Sequence, residues 1–150
     1  MRRFVWRLQR VLDVKTKEEQ IKRTELFRLT EQLAAKRGEL LMRQRILQDL
    51  LAEIQQDPSA DRFNAQEFVL QRAAVDDEQI HKLREEIAAL EARHKEKTAE
   101  MLAVRRFKEG LERLRERAKE EYIREQERLE QNELDENTTI AFARNEEHDR

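Results

Sequence analysis

The chain has 150 residues, of which 43% are charged, 38% hydrophobic and only 5% aromatic. Two glycines, one proline and no cysteine exclude a turn-rich sheet fold, disulfides, a thiol nucleophile and a cysteine-based zinc site. The 31 basic and 33 acidic residues leave a net charge of −2, so nothing at this level calls for nucleic acid or a membrane surface. Good helix formers dominate, and the apolar content suits narrow seams rather than a thick core. The expectation is a soluble, intracellular, all-α protein.

The start, MRRFVWRLQRVLDVKTKEE, is basic. Arg7 and Arg10 break any signal-peptide core, and Asp13, Glu18 and Glu19 argue against a transit peptide. Its apolar residues with four arginines allow a membrane-surface reading. The preferred reading makes Val5, Leu8 and Leu12 seam residues and leaves Phe4 and Trp6 partly exposed. Trp6, beside Arg2 and Arg3, is then an anchor for a protein partner.

A heptad frame with position a at Val5 runs through Leu12, Glu19, Leu26, Leu33, Leu40, Leu47 and Ile54. Only Glu19 breaks it, which argues for a coiled-coil seam. The d positions, Leu8, Lys15, Lys22, Leu29, Lys36, Arg43 and Leu50, are weaker, because basic side chains there can only lay methylenes on the seam. The first arm is expected over about residues 4–55.

Asp57-Pro58 ends that arm, since proline cannot continue a helix and biases its predecessor away from helical geometry. A turn over about 56–63 follows. The second arm begins at Asn64, with Glu67 in capping-box spacing. Its seam reads Val69, Ala73, Ile80, Leu83, Ile87, Leu90, Met101, Val104, Leu111, Ala118, Tyr122 and Leu129, with intrusions at Asp76, His94, Lys97, Lys108, Arg115 and Glu125. The pattern fades after about Glu136, where a frayed tail to residue 150 is expected. The expected fold is a long antiparallel two-helix coiled-coil hairpin with an overhanging C-terminal helix, forming one domain. At the rise of an α-helix its arms span roughly 75 Å and roughly 105 Å.

Charge follows the same division. Residues 1–23 carry eight basic and three acidic side chains, and residues 116–150 carry six basic and twelve acidic ones. These are either solvated faces or two docking patches.

Catalytic chemistry finds little material. There is no glycine-rich phosphate loop, and no way to enclose a pocket around a nucleophile, so no enzyme and no cofactor is expected. Glu78-x-x-His81 and Glu91-x-x-His94 have di-iron spacing, but both sit on one arm, roughly 20 Å apart, so the metal reading is rejected. Near the turn, Phe63 and Phe68 either staple it or offer a contact surface.

These pieces together resemble FliJ, the coiled-coil family of the bacterial flagellar type III export apparatus. FVWRLQRVLDVKTKEE resembles the family's aromatic and Leu/Val-rich opening. FNAQEF falls at its hairpin turn, and LERLRERAKEEYIREQERLEQNELDE is similar to its closing signature. The resemblance runs over nearly the whole chain. It implies a non-catalytic stalk, like the shaft of a rotary ATPase, that contacts the export ATPase hexamer and links it to the membrane-embedded export gate. Export chaperones are further implied partners. The implied location is cytoplasmic, at the inner-membrane face, with membrane association indirect at most. On the gate side the resemblance points to Phe68, with Phe63 beside it. On the ATPase side it points to Leu134, Asp135 and Glu136, to which the exposed-anchor argument adds Arg2, Arg3 and Trp6. The stalk of a virulence-type secretion system and a generic coiled-coil scaffold or dimerisation protein are the alternatives.

Overall fold

The structure, a computed structural model, describes residues 2–56 and 62–150, apart from the side chains of Ile54, Gln56 and residues 62–65. Two helices make up the described chain: α1, Gln9–Gln56, and α2, Arg62–His148. No strand occurs among the described residues. Most of the turn expected at 56–63 and the Asp57-Pro58 break lie outside them.

Three helix limits differ from expectation. α1 starts at Gln9 rather than near residue 4, because Arg7 and Leu8 form a turn in which the Gln9 amide donates to the Trp6 carbonyl at 3.2 Å. α2 starts at Arg62, ahead of Asn64, so Asn64 is inside the helix rather than capping it. At the other end α2 continues to His148 instead of fraying after Glu136. There Thr138 and Thr139 turn their hydroxyls back on the carbonyls of Leu134 and Asp135, both at 2.8 Å. With no glycine or proline after Gly110, no residue there disfavours helix strongly enough to stop it.

Contacts group the chain into two compact units. One joins residues 1–18 to 104–150, and its buried apolar residues are Leu12, Val104 and Leu111. The other comprises residues 19–103 and buries Leu29, Leu33, Ile80, Leu83, Ile87 and Met101. Both cores are seams one side chain wide.

Within the second unit the α1 and α2 segments pair in opposed directions. Lys22 donates to Glu100 at 2.9 Å, Lys36 reaches Glu86 at 3.0 Å, and Arg43 donates to Gln79. Within the first unit the order is also reversed: Gln9 accepts from Arg115 at 2.8 Å, and the Lys15 ammonium sits 5.1 Å over the ring of Phe107.

The seam positions are mostly as the heptads imply. Leu12, Leu29 and Leu33 are buried, and the basic d positions Lys15, Lys22, Lys36 and Arg43 are half-buried with charged ends on carboxylates or on an amide. Glu19, the one charged a position, is among the most covered side chains, 4% exposed, with a carboxylate oxygen 3.2 Å from the Arg23 guanidinium. Two apolar seam assignments fail. Val5 is 82% exposed, because residues 2–6 are not helical and burial alternates there, Phe4 and Trp6 facing inward. Leu129 is 44% exposed, in a helix whose residues 127–148 are all exposed.

Candidate partner-binding surfaces

The N-terminal candidates lie in the first unit. The Phe4 ring packs 5.4 Å from that of Tyr122, and the Arg115 guanidinium lies 5.9 Å from Phe4. The Tyr122 hydroxyl donates to the Arg2 carbonyl. Phe4 therefore anchors the segment in the role expected of Val5, which leaves the Arg2 and Arg3 side chains exposed and Trp6 half-buried. This fixes a basic segment on α2 with its charges outward.

Leu134, Asp135 and Glu136 sit far along α2 in the same unit, all exposed, Leu134 at 61%. Asp135 accepts from the Gln131 amide at 3.2 Å, a contact within one turn that holds nothing else in place. Twelve acidic side chains on 116–150, against six basic, give this stretch a negative field that an anchored partner would feel along a continuous helix.

Phe68 belongs to the second unit and is 64% exposed. It borders an open groove of about 440 Å³ with Arg43, Gln71, Arg72, Val75, Asp76 and Gln79. Positions 68, 72, 75 and 79 recur at helical spacing and so share one face of α2, while Arg43 reaches in from α1. The Asp76 Oδ2 atom is covered yet has no hydrogen-bond donor among the described residues, so the groove presents an apolar ring beside an unsatisfied acceptor. Sequence reasoning singles out Phe68 but not its neighbours. In the heptad frame Asp76 and Arg43 are only blemishes in the seam, although the 68, 72, 75, 79 spacing is visible in the sequence. The Phe63 side chain lies outside the described ones, so only Phe68 of that pair is placed.

The second unit also carries a ladder of ion pairs. Glu100 bonds Lys22 and also lies 3.4 Å from Lys97, which reaches Glu25 at 3.1 Å. The hydrogen bond from Lys22, more than any other influence, holds the Glu100 carboxyl below its ordinary value. Lys97 and Lys36 are raised, chiefly by their hydrogen bonds to Glu25 and Glu86. His94 makes a different contact. Because the Thr30 hydroxyl gives its proton to the Leu26 carbonyl at 2.9 Å, its oxygen accepts from His94 Nε2 at 3.1 Å. His81 lies 3.3 Å from Glu85 on its own helix. No group of three or more metal-ligating side chains gathers among the described residues.

Residues 4–147 match a protein family described as flagellar FliJ protein. No curated protein and no solved structure matches the chain.

Proposed function

The chain belongs to the FliJ family, which makes it a component of flagellar type III export, and we propose that it is the stalk between the export ATPase ring and the export gate. In this reading α1 and α2 form an antiparallel coiled-coil hairpin whose C-terminal part overhangs. The observation that carries it is the helix from 127 to 148, continuous and exposed at every residue. A lone acidic helix is the narrow element that a ring pore can admit, and Leu134, Asp135 and Glu136 lie on it. Arg2, Arg3 and Trp6 supply a basic collar for the same partner. The Phe68 groove faces the gate, where a partner's apolar side chain would meet Phe68 and a donor would satisfy Asp76. The protein works without catalysis or cofactor, in the cytoplasm at the inner-membrane face, and export chaperones use it as a meeting point.

The test titrates the full chain into the export ATPase of the same organism, following hexamer formation by light scattering together with ATP hydrolysis. Substoichiometric protein should promote rings and raise turnover. No change in either, with the ATPase competent to assemble alone, would sink the stalk reading.

A further inference from the structure

Residues 2–8 carry two incompatible patterns. As a helix they would continue the heptads of α1, with Val5 and Leu8 on the seam ahead of Leu12. In the fold they form a strap along α2 instead, with Phe4, Trp6 and Leu8 partly covered and Arg3, Val5 and Arg7 outward. Each pattern brings apolar side chains to α2, and one segment satisfies only one of them at a time.

Nothing in the sequence stops α1 at Gln9. None of residues 2–12 is Gly, Pro, Ser, Thr, Asp or Asn, so the helix start has neither a breaker nor a capping side chain. The Gln9 amide already donates to the Trp6 carbonyl three residues back, at 3.2 Å, which is the first step of a further turn. The strap is held from outside, by Tyr122 and Arg115. The Tyr122 hydroxyl donates to the Arg2 carbonyl, and the Phe4 ring lies 5.4 Å from that of Tyr122 and 5.9 Å from the Arg115 guanidinium. On α2 the helical alternative also has a place. Gln9 accepts from Arg115, so Val5, about one turn earlier, would fall beside Ala118, a small seam residue with room for it.

We infer that residues 2–8 are a two-state element, a strap while Tyr122 holds it and added turns of α1 once released. At about 100° per residue, the helical state turns Phe4 and Trp6 off the seam as Val5 enters it. Trp6 is then uncovered, and Arg2, Arg3 and Arg10, three or four residues away, share its face. In the strap Arg3 points away from Trp6 and Trp6 is half-buried, so the two states differ in what they show a partner. The partner that selects the helix is an acidic surface. Arg2, Arg3, Arg7 and Arg10 oppose the positive end of the helix dipole, and carboxylates that neutralise them favour the helical state over the strap. On the reading above, in which Arg2, Arg3 and Trp6 meet the ATPase, Tyr122 is the latch that keeps this site closed until the ring presents such carboxylates.

Cα chemical shifts of residues 3–8 in the isotope-labelled full chain read the two states directly. The parent should show extended shifts there. Tyr122→Ala should move them to helical ones, and Val5→Gly in the same chain should return them to random coil, because glycine disfavours the added turn. A strap populated about nine-fold over the binding-competent helix lowers the apparent affinity about 10-fold, so its release by Tyr122→Ala should tighten ATPase binding by about that factor. Val5→Gly should cancel the gain. Random-coil or unchanged shifts in Tyr122→Ala overturn the inference, whatever the ATPase does. Helical shifts with parent-like ATPase affinity overturn the latch. Failure of the parent and of Tyr122→Ala alike to bind the ATPase would sink the stalk reading instead, and the shifts alone would then decide the two-state element.

Discussion

The Tyr122 hydroxyl donates to the backbone carbonyl of Arg2, 120 positions away in the sequence. With the Phe4 ring 5.4 Å from that of Tyr122, this residue does most to hold the non-helical N-terminal segment on α2. A segment that makes no helical ladder of its own depends on such side-chain contacts for its order. Arg2, Arg3 and Trp6 are consequently presented through Tyr122, with Arg115 on the other contact to Phe4.

Tyr122→Phe should therefore be mild and Tyr122→Ala severe, locally rather than globally. The first removes one exposed hydrogen bond, worth about 0.5–1.5 kcal/mol. The second also removes the ring pair, worth a further ~0.5–1.5 kcal/mol beyond its area. Trp6 fluorescence should shift towards that of a solvated indole in the alanine variant only, with the midpoint of helix unfolding little changed. A parent-like Trp6 signal in Tyr122→Ala would show that the segment is held elsewhere.

The seams set the stability. Leu33 and Leu83 are each 5% exposed, whereas Leu41 is 67% exposed on the same helix as Leu33. Leu33→Ala and Leu83→Ala should each cost about 2–5 kcal/mol in urea unfolding, towards the lower end because a narrow seam can collapse around the gap. Leu41→Ala should stay within about 0.5 kcal/mol. Equal effects would mean that the seam is not the core.

Much of this was legible beforehand. Leucines at every seventh residue from Leu12 to Leu47, Glu19 excepted, identified the covered face of α1, because a two-helix contact has only one periodicity to satisfy. The seam residues of α2 from Ile80 to Leu111 were recognisable for the same reason. What misled was treating the frame as unbroken to Val5. The repeat carries meaning only while the chain is helical, and before Gln9 burial follows a period of two. Glu19 misled in the opposite sense, since a charged residue can occupy a seam when a neighbour such as Arg23 meets its carboxylate. The Phe68 groove needed the structure. Its Arg43 comes from the other helix, and no one-dimensional pattern shows which residues of two helices lie side by side.

The ladder around Glu100 gives stability a pH dependence of definite sign. Glu100 titrates below its ordinary value of 4.5 in the folded protein. Its contribution is thus complete above that value and is lost as pH falls through the lower folded one. Lys36 and Lys97 titrate above their ordinary value of 10.5. Their contributions are complete below that value and disappear as pH rises through the higher folded ones. The melting temperature should hold level between these limits and fall outside both. Glu100→Gln should flatten the acid limb and lower the plateau. An acid limb unchanged by that substitution would assign the loss to other carboxylates.

Phe68 tests the proposed gate-side surface without disturbing the fold. At 64% exposure its removal takes little from the core, so Phe68→Ala should melt within a few degrees of the parent. Binding to the cytoplasmic part of the export gate should drop at least ~10-fold, as for an aromatic anchor in an interface. Asp76→Asn keeps the shape but adds a donor where the groove now presents an acceptor, and should weaken binding as well. Full binding by both variants would move the gate contact away from the groove.

Removing the exposed end of α2 tests whether the two proposed partners use separate surfaces. Ending the chain after Leu129 removes only residues that are exposed, including Leu134, Asp135 and Glu136. Their loss uncovers none of the buried residues, so the unfolding midpoint in urea should be unchanged. Most of the acidic excess of residues 116–150 goes with them; if the proposed ATPase contact lies there, the truncated chain should no longer promote rings. Gate binding, which the proposed function assigns to the Phe68 groove, should survive. Both activities measured on the same preparation decide the matter. Selective loss of the first supports a stalk with two working ends, whereas equal loss of both would mean that the tail and the groove serve one partner together.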